Sequence, residues 1–210
     1  MKYIMTSRRV IYTIGHSNHS VEKFIELLRQ HSISVVVDVR SVPFSRIQTQ
    51  FDRNNLAANL EKHSITYIFL GKELGGRSDN PTCYENGRVQ YQLLAQTKTF
   101  QEGLERVRTG SENHRIALMC VEREPLECHR TLLISRELES KGIQVIHIHA
   151  DGHLELHEKA MERLLHRLSM PERDLFRTHS EIIDEAYSKQ EARIAYVDKH
   201  LVHEASEKQS

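Results

Sequence analysis

The chain has 210 residues, of which 39% are hydrophobic and 28% charged, enough for one packed domain with or without an appendage. No stretch approaches the roughly 20 apolar residues of a membrane helix, and the first residues contain no apolar segment of signal-peptide length. The 29 basic and 29 acidic residues balance, which argues against strong nonspecific DNA binding, and three cysteines argue against a disulfide framework. We therefore expect a reduced, cytoplasmic protein without membrane contact, whose oligomeric state the sequence does not indicate.

Five segments rich in apolar and β-branched residues predict strands near 10–14, 35–39, 65–70, 116–121 and 143–148. Helical patterns lie between them. Ser20 is placed to cap the first helix, and Thr99 with Glu102 has the spacing of a capping box for a later one. The glycine-containing segment after Leu70 predicts a long polar loop. This alternation predicts an α/β fold with a mainly parallel, five-stranded, Rossmann-like sheet and helices on both faces.

Residues after 150 have a helical pattern. Apolar positions from Leu154 to Leu168 predict one helix that Pro171 ends, and Thr178 with Glu181 predicts a capped second helix. Two short amphipathic helices bury too little apolar area to fold alone. We expect an α/β core domain over 1–150, a helical extension over 151–200 packed on that core, and a flexible tail over 201–210.

Polar segments follow four of the predicted strands, at the edge where parallel α/β sheets bind ligands. They are Gly15, His16 and Ser17 after the first strand; Asp38, Arg40, Ser41 and Arg46 after the second; Gly75, Gly76 and Arg77 after the third; and Glu122, Cys128, His129 and Arg130 after the fourth. Because the carboxyl ends of parallel strands meet at one edge, we expect these segments to form one pocket.

The first three segments each allow two interpretations. The Gly15 turn could bind an anion on the free N–H groups of the next helix, with Ser17 and His16 as further donors, or could be a simple strand–helix turn. Asp38 could be a general base held by Arg40, or the two could form a structural ion pair. The paired glycines before Arg77 suit close backbone approach to a ligand, or a plain turn.

The fourth segment has the most specific chemistry. Cys128 precedes a predicted helix, whose dipole would stabilise a thiolate together with His129 and Arg130. Cys128 is therefore a candidate nucleophile, redox thiol or metal ligand, with a structural cysteine as the alternative. Glu122 is a candidate general acid–base group or a solvated charge. We expect Cys128 to be the most reactive thiol, Cys120 to be a core residue and Cys83 to be exposed.

The chain has 14 histidines, and four of them form a candidate cluster. His147 and His149 share a strand face, while His153 and His157 have the i, i+4 spacing that can chelate a metal on a helix. Cys120, Cys128 or Asp151 could complete such a set. Since no Cys-x-x-Cys or His-Glu-x-x-His signature is present, we assign no metal ligands and name no cofactor from the sequence.

Four motifs in this order resemble the bacterial and archaeal domain-of-unknown-function family 488. They are Tyr12-Thr13-Ile14-Gly15-His16-Ser17, Asp38-Val39-Arg40-Ser41-x-Pro43-x-Ser45-Arg46, Leu74-Gly75-Gly76-Arg77 and Cys128-His129-Arg130. The resemblance covers about 10–195. It implies the fold and the location of the site, and it implies no particular activity.

These patterns favour an enzyme that acts on a phosphorylated, nucleotide-like or nucleic-acid substrate. Asp38, Glu122 and Cys128 are the candidate catalytic residues, and the other polar residues of the four segments would bind a small anionic or nucleotide-like ligand. Nucleic acid is an alternative partner. Two other functions are open: a non-catalytic nucleotide or nucleic-acid binding module, and a metal or thiol redox protein built on Cys128 and nearby histidines.

Overall fold

The computed structural model describes residues 9–45 and 47–202. Its main sheet contains β1 (Val10–Gly15), β2 (Val35–Asp38), β3 (Thr66–Phe69), β6 (Ile116–Cys120), β7 (Gln144–Ile148) and β8 (Leu154–Leu156), and a separate two-stranded sheet contains β4 (Tyr84–Glu85) and β5 (Arg88–Val89). The helices are α1 (Val21–Gln30), α2 (Arg53–Glu61), α3 (Gly71–Leu74), α4 (Tyr91–Ala95), α5 (Lys98–Gly110), α6 (Arg136–Ser140), α7 (His157–Arg167) and α8 (His179–Ile194). Arg46 and most of the predicted tail lie outside the described residues.

The main sheet has six strands in the order β3-β2-β6-β1-β7-β8. The five predicted strands are all present and run parallel, while β8 adds an antiparallel edge next to β7. In this order β6 separates β1 from β2, which are neighbours in the 3-2-1-4-5-6 order of a Rossmann fold. The fold is therefore α/β with a mostly parallel sheet, but its strand order differs from the Rossmann-like expectation.

Alternation along the strands divides the core between the two faces of the sheet. On one face, residues such as Ile11, Val37 and Leu118 pack with α5, the helix over 130–140, α7 and α8. On the other face, residues such as Ile14 and Met119 pack with α1 and α2. Every residue of β2 and of β6 is buried, because these strands lie inside the sheet and are covered on both sides. Helices on both faces are thus confirmed.

The segment after 150 packs on the same core. Leu164, Leu165, Ile182 and Ala186 belong to the cluster that also contains strand residues of the first 150. The Gln190 side chain donates a hydrogen bond to the Leu126 carbonyl at 2.8 Å and is fully buried. No helix within 9–45 and 47–202 combines the length and apolar character needed to cross a bilayer.

Three local expectations are wrong. Leu154 begins an edge strand, since it pairs with Ile148, and α7 begins only at His157. The predicted loop after Leu70 contains α3, a hairpin and α4. Thr97, and not Thr99, caps α5 by accepting a hydrogen bond from the Phe100 N–H at 3.3 Å.

Two capping expectations are confirmed. Ser20 accepts from the Lys23 N–H at the start of α1, and Thr178 with Glu181 forms the complete capping box of α8. The helix predicted after Cys128 begins as a π-helical segment, Arg130–Ser135, that continues directly into α6. The Ser135 hydroxyl donates to the Arg130 carbonyl at 2.7 Å, five residues back along this turn. Such π turns often occur at functional sites.

Candidate functional site

The segments that follow β2, β3 and β6 meet at the carboxyl edge of the sheet. The Arg77 N–H donates to the Ser41 hydroxyl at 3.1 Å, joining the second and third segments. A Cβ atom at Gly75 would lie 2.4 Å from Ser41 Oγ, and one at Gly76 would lie 2.9 Å from His129 Cγ. The two glycines therefore allow the third segment to pack directly against the other two.

The first segment also reaches this edge, but its own N–H groups are used within the sheet. The N–H groups of His16 and Ser17 donate to the carbonyls of Cys120 and Val121, both at 2.9 Å, and so extend the pairing of β1 with β6. A Cβ atom at Gly15 would lie 1.9 Å from the Glu122 carbonyl oxygen. Glycine is therefore needed here for strand packing, and of the expected donors the N–H groups of His16 and Ser17 are not free to bind an anion.

The His16 side chain is also part of the core. Its ring stacks on Phe51 at 4.2 Å between centroids, and its Nε2 lies 3.3 Å from Arg40 Nη1. Its Nδ1 lies 2.9 Å from the Ser17 carbonyl, so the proton of the neutral ring is on Nδ1 and Nε2 accepts from Arg40. Burial, then the charge of Arg40, lowers the pKa of His16 to about 4.

Asp38 and Arg40 form a buried, bidentate ion pair. Arg40 Nε donates to Asp38 Oδ1 at 2.9 Å and Nη2 donates to Oδ2 at 2.7 Å, while the Tyr67 hydroxyl donates to Oδ2 at 2.7 Å. Arg40 Nη2 also donates to the Phe51 carbonyl at 2.8 Å. Asp38 is 0% exposed and every lone pair that could accept a substrate proton is engaged. The geometry therefore favours the structural ion pair over a general base.

A cavity of about 220 Å³ opens beside these segments. Its lining includes the predicted residues Arg40, Ser41, Gly76, Arg77, Glu122 and His129. It also includes Cys120, which the sequence offers only as a possible metal ligand, and Tyr91 and Tyr196, for which no role is expected from the sequence. Tyr196 lies beyond the end of α8, so only the packing of the extension brings it here. A larger cavity of about 430 Å³ beside α4 contains none of the predicted site residues.

Two cysteines and a histidine lie together at the base of the site. His129 Nδ1 is 3.8 Å from Cys120 Sγ and 3.8 Å from Cys128 Sγ. The Cys128 thiol donates to Glu122 Oε2 at 2.9 Å, and His129 Nε2 donates to the Val39 carbonyl at 3.1 Å. Cys120 lies at the end of β6, so the strand places this core cysteine within the site. Cys83, expected to be exposed, is 1% exposed and lies in the core.

The charges of this cluster shift its pKa values in opposite directions. Burial would raise the pKa of Cys128, but the hydrogen bond from Cys120 and the charges of Arg130 and His129 hold it well below its usual value. The hydrogen bond with Cys128, then burial, raises the pKa of Cys120. Burial and the neighbouring Cys128 raise the pKa of Glu122. The two thiols therefore differ in acidity, and Cys128 is the stronger acid of the pair.

Arg130 is the largest fully buried side chain among the described residues. Its Nη1 donates to the Glu122 carbonyl at 2.8 Å, whereas Nε and Nη2 have no hydrogen-bond partner. Because a buried guanidinium charge is costly without an anion, the site requires negative charge close to Arg130. Arg130 does not line the cavity, so its charge would affect the site through the buried groups next to it and not by contact with a ligand.

Arg77 is the exposed cation at the cavity. Its guanidinium stacks over the Tyr196 ring, 4.3 Å from the ring centroid. Within the described ranges no carboxylate pairs with it. An arginine held on an aromatic face at the mouth of a cavity is well placed to bind a phosphate or carboxylate.

The four histidines near residue 150 do not converge on one metal site. His147 Nε2 lies 3.1 Å from His157 Nδ1, and His157 Nε2 lies 2.6 Å from the Tyr187 hydroxyl, in a buried network. His149 pairs with Glu155, and His153 precedes α7, so the i, i+4 arrangement is absent. The group whose geometry suits a metal ion in the described part of the chain is Cys120, Cys128 and His129.

Comparison with known proteins identifies a family but no relative of known activity. Neither the curated proteins nor the solved structures contain a match to this chain. A sequence model of the family described as "Domain of unknown function DUF488" matches residues 20–136. The match spans more than half of the chain and extends from the start of α1 to the start of α6. The chain therefore belongs to the DUF488 family.

Proposed function

We propose that this protein is an enzyme that acts on a phosphorylated or nucleotide-like substrate at the carboxyl edge of its sheet. Glu122 would transfer protons, the cluster around Cys128 would form the reaction centre, and Arg77 would hold the anionic group of the substrate. The cytoplasmic location expected from the odd number of cysteines stays a prediction.

One observation carries the proposal. The Glu122 carboxylate borders the cavity and lies 2.9 Å from the Cys128 sulfur, with the buried Arg130 bound to its own carbonyl. A carboxylate that is half-buried against a thiol costs stability, and such arrangements cluster where catalysis needs them. A site for binding alone would not require an acid–base group against a thiol.

The cavity indicates the class of substrate. Its volume of about 220 Å³ is below the roughly 300–1,000 Å³ of most ligand pockets, so it suits a small molecule or one end of a larger one. Arg77 supplies a cation at the mouth, and Tyr196 and Tyr91 supply aromatic surface. A phosphate next to a flat ring fits this combination, which favours a nucleotide or the end of a nucleic-acid strand.

Asp38 has no chemical step in this proposal. It neutralises and orients Arg40, whose guanidinium is in turn engaged with His16 and Phe51. Its contribution to the site is to position the strand end that carries Ser41.

Binding is tested first, by thermal shift of the full chain with nucleoside phosphates and sugar phosphates. A ligand at a hundred times its Kd should stabilise the folded chain by about 2.7 kcal/mol. Arg77→Met should weaken binding about tenfold, since hydrogen bonds to charged groups contribute about 1.5–3 kcal/mol. Arg173→Met, which changes an exposed arginine between α7 and α8, is the matched control. Equal binding by Arg77→Met and the wild-type chain would contradict the role of Arg77.

Turnover of the ligands found in this way separates an enzyme from a binding module. Glu122→Gln should bind the ligand but lose about 100- to 10,000-fold in rate, the usual contribution of a general acid–base group. Glu158→Gln, in the exposed first turn of α7, is the control. Binding without turnover by the wild-type chain would favour the non-catalytic module instead.

A further inference from the structure

We propose that Cys120, Cys128 and His129 bind one Zn²⁺ ion at the base of the cavity. The three side chains come from two places in the chain, the end of β6 and the turn before the π-helical segment. The role of the ion rests on the proposed function, since it would be the cofactor of that site, but its binding does not.

The distances between the ligand atoms fit a tetrahedral ion. The sulfur atoms of Cys120 and Cys128 and the imidazole nitrogen of His129 all lie within 4.8 Å of one another, and each sulfur is 3.8 Å from the nitrogen. Zinc bonds of about 2.3 Å to sulfur and 2.0–2.1 Å to nitrogen, at tetrahedral angles, place these atoms roughly 3.5 Å apart. The two observed distances from sulfur to nitrogen therefore exceed the tetrahedral value by a few tenths of an ångström.

The orientation of His129 also fits a ligand. Its Nε2 faces the Val39 carbonyl at 3.1 Å, so this nitrogen carries the proton and the lone pair of Nδ1 faces the two sulfur atoms. Metal-binding histidines usually donate their second N–H to a carbonyl or carboxylate, which fixes the ring and the tautomer. Gly76 packs against the ring, where a Cβ atom would approach Cγ to 2.9 Å. The imidazole is thus held in place before any ion binds.

Charge balance favours a divalent ion. Two thiolates and a neutral imidazole would balance the charge of Zn²⁺, so the occupied site would carry no net charge. Without a cation, two adjacent thiolates and a carboxylate could not all be ionised in a buried site. Sulfur and imidazole donors select zinc over Mg²⁺ or Ca²⁺, which prefer oxygen.

The proposed site has an open position. Zinc enzymes commonly use three protein ligands and leave the fourth position to water or substrate. Cys120, His129 and Glu122 line the cavity, so the fourth position faces the ligand space on the side of Glu122. A zinc ion held there would act as a Lewis acid, and Glu122, which borders the same cavity, would serve as the proton acceptor.

Metal analysis of the full-length chain, purified without chelator, tests the inference. We expect one zinc ion per chain, and loss of that zinc in Cys120→Ser, Cys128→Ser and His129→Gln. Cys83→Ala is the matched control, because Cys83 is buried as deeply but lies outside the cluster. It should keep the zinc. Cobalt substituted into the wild-type chain should show thiolate charge-transfer absorption and the intense visible bands of a tetrahedral site, a readout that needs no variant to fold.

Three results would overturn the inference: wild-type chain that binds neither zinc nor cobalt, a Cys120–Cys128 disulfide in protein purified under air, or zinc that remains after both cysteines are replaced. These results are separate from failure of the proposed function. Zinc that is bound by a chain without turnover would contradict the enzyme and leave the metal site intact. Turnover that depends on Glu122 in a zinc-free chain would support the enzyme and contradict the metal site.

Discussion

Asp38 illustrates how one residue can suit either catalysis or packing. It accepts hydrogen bonds from the Arg40 main chain, from two nitrogen atoms of the Arg40 side chain and from the Tyr67 hydroxyl. Both members of the ion pair are at most 3% exposed. A charge at this depth is stabilised only by its partner, so the pair contributes to stability as a unit.

We therefore predict that Asp38→Asn destabilises the fold by about 3–5 kcal/mol, because the Arg40 charge stays buried without its carboxylate. Tyr67→Phe removes one of several donors to the charged carboxylate and should cost about 1.5–3 kcal/mol. Urea denaturation of both variants measures the difference in the free energy of unfolding. An Asp38→Asn variant as stable as the wild-type chain but inactive would restore the general-base interpretation.

Gly15 and Gly110 differ in what surrounds them. The Cβ position of Gly15 is 1.9 Å from a backbone oxygen, whereas that of Gly110, at the end of α5, meets only the tip of Ile116 at 3.2 Å. We predict that Gly15→Ala lowers the free energy of unfolding by about 3 kcal/mol through overpacking. Gly110→Ala should change it by less than about 1 kcal/mol. Thermal or urea unfolding measures the free energy of unfolding of the two variants. Equal losses in both variants would contradict the close packing at Gly15.

At the level of elements, α5 shows how a helix start depends on its surroundings. Thr97 and Thr99 both have the side chain of a cap, and the capping-box spacing favours Thr99. In the structure the Thr97 hydroxyl accepts from Phe100 and also donates to the Leu94 carbonyl at 2.8 Å. The end of α4 therefore decides which threonine becomes the cap.

This assignment predicts different costs for two similar substitutions. Thr97→Ala should destabilise the protein by about 1 kcal/mol, the usual cost of losing an N-cap. Thr99→Ala, at an exposed position inside the helix, should be neutral or slightly stabilising because alanine has the higher helix propensity. Unfolding free energies of the two variants test this. A larger loss of unfolding free energy in Thr99→Ala than in Thr97→Ala would show that Thr99 is the N-cap, as the sequence pattern favours.

At the level of the whole molecule, a buried network joins β1, β7, α7 and α8. The Thr13 hydroxyl lies 2.8 Å from His147 Nδ1, and the chain continues through His157 to Tyr187. Burial lowers the pKa of His157 to about 4, and burial with the neighbouring His157 lowers that of His147 well below its usual value. Both rings are therefore neutral in the folded protein.

This network predicts acid sensitivity. Below pH 6.5 these histidines bind protons in the unfolded chain but stay neutral in the folded protein. Their contribution to the free energy of unfolding is therefore fully present above that pH and falls as the pH drops toward 4. His157 alone should account for about 3 kcal/mol. His157→Gln should flatten the dependence of unfolding free energy on pH over this range, and His166→Gln, on the exposed side of the same helix, should not. An unchanged slope in His157→Gln would contradict the neutral, buried state.

Much of the architecture followed from local patterns. The β-branched runs identified the five parallel strands because a strand covered on both faces needs apolar residues throughout. The caps at Ser20 and Thr178 were also predictable, because a cap involves only residues within one turn. The shared edge of the polar segments followed from parallel strand direction alone.

What only the tertiary structure decided involves contacts between distant parts of the chain. Because β6 lies between β1 and β2, the N–H groups of His16 and Ser17 donate to carbonyls at the end of β6 and are not available to a ligand. The position of β6 also places Cys120 beside Cys128 and His129. The sequence alone determined which residues carry reactive groups and that their strands end at one edge. It could not determine which groups pair with one another, because hydrogen bonds and ion pairs depend on distances that strand order and helix packing set.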